Sequence, residues 1–130
     1  MDYEPVIFIH ANLPNSDYYS NLERANALRL DLINKGLSFT GIKINGLGGF
    51  MVVTDKLSVL RKLAVSYDQD FIYFSDENRE VYKINVVRPK AKENLGKLIK
   101  LTNHVNLELG RKLNLTFIEN GTQYVYSTEQ

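Results

Sequence analysis

After one short apolar run, the chain repeats the same order three times: a helix-like segment followed by two strand-like segments. The helix-like segments begin near residues 20, 56 and 92. The three units share little sequence, so this is a rhythm of elements rather than a residue repeat, and a solenoid is not expected. It predicts a single α+β domain of order β-(αββ)x3, with a mostly antiparallel sheet and three helices gathered on one face. A length of 130 residues fits one domain able to bury a core.

The strand expectations are Val6–His10, Ser38–Ile44, Phe50–Val53, Phe71–Phe74, Val81–Val87, Leu113–Ile118 and Gln123–Tyr126. Residues 45–49, NGLGG, read as a flexible hairpin or bulge, and Asn120-Gly121 as a tight hairpin turn. Thr54 is expected to cap the second helix, whose Leu57, Leu60, Leu63, Ala64 and Tyr67 share a face. Leu95, Leu98, Thr102, Val105 and Leu109 recur at helical spacing, which predicts a third helix from about Lys92 to Gly110. Gly96 argues against it by roughly 1 kcal/mol.

The first helix, Ser20 to Gly36, is the anomalous one. Ser20 is its expected N-cap, paired with Glu23 in a capping box. Leu22, Ala25, Leu28, Leu32 and Ile33 fall on one arc, the face expected to pack. Asn21 and Arg29 lie inside that arc and Arg24 on its edge. Buried Arg or Asn is costly unless bonded, so each needs a partner, and Arg29 is the residue whose partner matters first. Asn21 and Arg24 sit one turn apart, within reach of His10 and Asn12 if the first strand packs beside the helix, with Gln69 opening a later strand. Such a cluster either fixes a loop through buried hydrogen bonds or lines a phosphate-binding pocket.

Residues 7 to 75 resemble an uncharacterised bacterial domain-of-unknown-function family. The resemblance rests on FIHANLP, Asn21-x-x-Arg24, Gly48-Gly49 and SYDQDFIYF, in that order. Leu13 before the proline and Asp68 before Gln69 depart from the family pattern. The resemblance implies that Asn12, Asn21, Arg24 and Gln69 matter, without implying an activity.

Charge is uneven beneath a net +1: residues 1–78 hold 7 basic and 10 acidic side chains, and residues 79–112 hold 9 and 3. The basic 79–112 segment, with Lys97 and Lys100 on the expected third helix, is a solvated face or a nucleic-acid contact. The chain has no cysteine, which excludes disulfides and thiolate chemistry. No signal peptide or membrane span is evident, so a cytoplasmic location is expected.

Catalytic signals are sparse. The two histidines lie in His10-Ala-Asn12 and His104-Val-Asn106, each similar to half of the two-histidine phosphoesterase signature. His104 falls opposite the apolar seam of the expected third helix, so the pair is not expected to meet. Asp68, Asp70, Asp76 and Glu77 read as solvated turn carboxylates rather than a cation site. No metal or cofactor is expected. Tyr18 and Tyr19 beside Asn and Arg either have the composition of a recognition surface or belong to a loop that folds back onto the core.

The expected function is a non-catalytic binding or regulatory module for a protein or nucleic-acid partner, in the style of a phage-encoded inhibitor of a host system. Its surfaces would be the Tyr18–Arg29 region and the basic segment. The alternative is a small enzyme or binding protein for a phosphate-bearing ligand, acting through His10 and Asn12 with Asn21, Arg24 and Gln69.

Overall fold

A computed structural model describes residues 4–100, 113–119 and 121–129. The element order is β1 (Val6–Ile9), α1 (Tyr18–Asn34), β2 (Ser38–Ile44), β3 (Leu47–Val53), α2 (Leu57–Ser66), β4 (Phe71–Ser75), β5 (Glu80–Asn85), β6 (Lys92–Lys100), β7 (Asn114–Glu119) and β8 (Thr122–Glu129). Every strand pairs antiparallel with both neighbours in the order β1-β3-β2-β7-β8-β6-β5-β4, and β4 pairs back to β1. The sheet is a closed eight-stranded barrel, and among the described residues two helices lie against its outside. This corrects the α+β expectation of three helices over a sheet.

Closure follows from strands that are apolar on both faces. In β1, Ile7 and Ile9 point outward to the helices, where they pack with Leu28, Leu32, Leu60 and Leu63. Phe8 points inward and meets Ile44, Tyr73, Leu95 and Leu113. Alternation of this kind gives each strand two jobs, and closing the sheet removes its edges.

The third helix is the largest local correction. Residues Lys92–Lys100 form β6, and the rest of the expected helix, with His104, lies outside the described residues. A β-bulge explains the misleading spacing. Val81 pairs with Gly96 and Tyr82 with Asn94, which leaves Leu95 as the extra residue. Gly96 takes φ +95, a conformation that suits glycine. The bulge turns Leu95 and Leu98, three residues apart, to the same interior face. Three-residue spacing thus came from a kinked strand rather than a helical turn.

The NGLGG segment is more ordered than expected. Asn45 (φ 50) and Gly46 (φ 85) make a two-residue turn between the paired Ile44 and Leu47, with both φ values positive. Asn45 also joins β2 to β7. Its N–H donates to the Asn114 carbonyl (2.8 Å), and the Asn114 N–H donates to Asn45 Oδ1 (2.8 Å). The β2–β7 ladder registers only Lys43–Thr116 and Ile44–Leu115, so these two bonds extend its shortest seam.

Gly49 sits where β3 passes close to the end of β1. A Cβ there would lie 2.7 Å from Ile44 Cδ1, 2.8 Å from the Ile9 carbonyl oxygen and 3.0 Å from His10 Cβ. Backbone on one side and a packed side chain on the other leave no room. Gly49→Ala is expected to cost about 1–3 kcal/mol by overpacking. Urea denaturation measures this, and an unchanged midpoint would refute the packing described.

Candidate functional site

The polar cluster anticipated around α1 exists, and its geometry is that of a bracket. Helix α1 starts earlier than expected: Asp17 is the N-cap, and its carboxylate accepts from the Ser20 N–H at 2.7 Å. That bond holds the Asp17 carboxyl below its ordinary range. The inward face carries Asn21, Arg24, Ala25, Leu28, Asp31 and Leu32, while Leu22 and Ile33 are exposed. The expected packing arc was therefore rotated. Asn21 and Arg24 are at its heart, and Arg29 is on the exposed side.

Asn21, Arg24 and Gln69 are taken up by main-chain groups. Asn21 Oδ1 accepts from the Leu13 N–H (2.9 Å) and its amide donates to the Leu13 carbonyl (3.2 Å). Arg24 Nε donates to the Ala11 carbonyl (2.7 Å) and its Nη2 to the Tyr67 carbonyl. The same Nη2 lies 3.6 Å from the Asp68 carboxylate. Gln69 Nε2 donates to the carbonyls of Asn12 and Tyr67, both at 3.0 Å. Gln69 lies in the turn before β4 rather than opening the strand. Among the described residues no buried side-chain nitrogen or oxygen lacks a partner.

His10 and Asn12, the residues of the catalytic alternative, are engaged in the same way. His10 Nδ1 accepts from the Asn12 N–H (3.1 Å), and the Asn12 amide donates to the Gly48 carbonyl (2.8 Å). Burial holds the His10 imidazole below its ordinary value of 6.5. A neutral ring whose Nδ1 lone pair already accepts from the backbone has no free base at that nitrogen. Tyr67 completes the bracket: its hydroxyl donates to Asp31 Oδ2 (2.5 Å). Burial first, then Asp31, push the Tyr67 phenol up to about 12, and nearby Arg24 opposes the shift.

The remaining expected residues lie elsewhere. Tyr18 and Tyr19 are exposed and meet edge-to-face at 5.4 Å. Lys97 and Lys100 are exposed on β6. Lys83 Nζ lies 3.9 Å over the Phe71 ring and Lys92 Nζ 4.9 Å over the Tyr82 ring. Asp76 accepts from the N–H groups of Asn78 and Glu80 within its turn. No group of three or more metal-ligating side chains forms among the described residues.

One feature was missed in the sequence. Val6, Phe8, Ile42, Met51, Leu98 and Leu115 line a cavity of about 430 Å³ inside the barrel. The wholly apolar β1 and the Ile42–Ile44 spacing in β2 carry part of that signal, but closure is needed to see that these side chains share one interior. Among the described residues no helix is long and apolar enough to cross a membrane. Neither a protein-family model nor a curated protein sequence matches the chain.

The His10 environment carries a pH consequence. Unfolded, His10 takes a proton near 6.5; folded, it does so only at lower pH. As pH falls through that window the unfolded state binds more protons, so stability falls. Urea denaturation at about pH 7 and about pH 5.5 should show this loss, and His10→Gln should flatten it. A wild-type stability equal at both pH values would contradict the buried neutral imidazole.

Proposed function

We propose that this chain is a non-catalytic binding module that recognises a protein partner through the outward face of α1. The observation that supports this reading is the apolar content of that face. Tyr18 is 72%, Tyr19 75%, Leu22 44%, Leu30 55% and Ile33 47% exposed. At about 100° per residue, Tyr18, Leu22, Arg29 and Ile33 fall within roughly 60° of one another, with Tyr19 and Leu30 beside them. Tyrosine and arginine set among aliphatic side chains are the composition of binding hot spots.

The bracket supports the same reading from the other side. The donors and acceptors of Asn21, Arg24 and Gln69 described above meet main-chain groups, so a phosphate ligand would have to displace these bonds. Lys83 and Lys92 are drawn over rings on the barrel wall, which favours a protein over a nucleic acid as partner.

Tyr18→Ala and Leu30→Ser should leave stability within about 0.5 kcal/mol, because both side chains are exposed. Each should weaken partner capture by on the order of tenfold, in lysate treated with nuclease as well as untreated. Affinity capture with quantitative mass spectrometry measures it. Capture that is unaffected by both substitutions, or abolished by nuclease, would refute the reading.

A further inference from the structure

From the barrel interior we infer that the cavity is a binding site for a single-chain amphiphile with an apolar body and an anionic head, such as a free alkyl carboxylate. The inference is independent of the α1 surface.

The cavity belongs to the barrel rather than to a groove on it. Every strand except β5 contributes a lining residue. The interior is unevenly filled. Toward the β2–β3 hairpin, Phe8, Ile44, Tyr73, Leu95 and Leu113 are buried and close the space. Toward the opposite end, Val6, Met51, Leu98 and Tyr126 are only partly buried around it. An eight-stranded barrel has an interior that side chains just fill, or that holds one small ligand. Here one half follows each pattern.

Size and polarity then select the ligand. A volume of about 430 Å³ is at the small end of ligand-holding pockets, room for one chain rather than a two-tailed lipid. The wall is aliphatic and aromatic, with Ser75 and Tyr126 as its polar members. Glu4, Arg79 and Lys100 stand at the mouth, where β4 turns into β5 and β6 ends. Among the described residues of the lining, two cations stand against one carboxylate, a balance that favours an anionic head over a neutral or cationic one. An apolar chain inside and an anion at the rim satisfy both regions at once.

The probes are decanoate, decanol and decyltrimethylammonium, each titrated as monomer into the full chain by calorimetry. In parallel, methyl-labelled methionine reports position, because Met51 lines the cavity. Decanoate is expected to bind one-to-one, roughly tenfold tighter than either other probe, and to shift the Met51 methyl signal. Lys100→Glu should weaken decanoate and leave decanol unchanged. Leu98→Trp should fill the cavity and remove binding of both; if that variant fails to fold, Lys100→Glu carries the test. Absence of binding, equal affinity for the three probes, or binding that leaves Met51 unmoved would each overturn the inference.

Discussion

The arrangement of helices on this barrel depends on where Arg24 places its guanidinium. The group reaches the Ala11 carbonyl just past β1 and the Tyr67 carbonyl at the end of α2, and lies beside Asp68. Both carbonyls sit where regular ladders stop, so neither has a strand or helix partner to accept from. Left bare beneath a packed helix, the Ala11 carbonyl would carry a desolvation cost of about 1–3 kcal/mol, while the Tyr67 carbonyl also accepts from Gln69. A planar side chain with several fixed donors satisfies them together, which a lysine could not do with the same geometry. Asn21 and Gln69 extend the same service to Leu13 and Asn12. One polar patch thus ties β1, α1 and α2 into a single corner.

That corner sets the rotation of α1. Turning Arg24 and Asn21 inward puts Leu28 and Leu32 over Ile7 and Ile9 and leaves Leu22, Leu30 and Ile33 facing out. From sequence, the apolar residues define the packing arc and the polar ones look like intruders. The reverse holds here, because the loop ends under α1 present backbone carbonyls that hydrocarbon cannot satisfy. Asn12, Asn21, Arg24 and Gln69 lie in this one corner. Their ligands are the chain's own peptide groups. Arg29, singled out for its position on the wrong arc, is simply on the other side of the helix.

The strands were more legible than their assembly. Runs such as Val6–Ile9, Ser38–Ile44 and Phe71–Ser75 announce themselves by apolar content and flanking turn residues. Closure does not, since it depends on pairing strands distant in sequence: β4 with β1, β2 with β7 and β6 with β8. Gly96 was the local clue to β6. Glycine inside an apolar run marks a bulge as readily as a weak helix, and the bulge here reproduces helical spacing between Leu95 and Leu98. The interior cavity was invisible for the same reason as the closure that creates it.

The central claim is that the inward polar residues of α1 hold the fold and the outward ones do not. Comparing Arg24→Gln with Arg29→Gln by urea denaturation tests it most directly. Arg24→Gln should lose about 2–4 kcal/mol, through an orphaned Ala11 carbonyl and the lost charge-assisted bonds to Tyr67 and Asp68. Arg29→Gln should stay within about 0.5 kcal/mol of wild type. Equal stability of the two variants, or a larger loss at Arg29, would contradict the account.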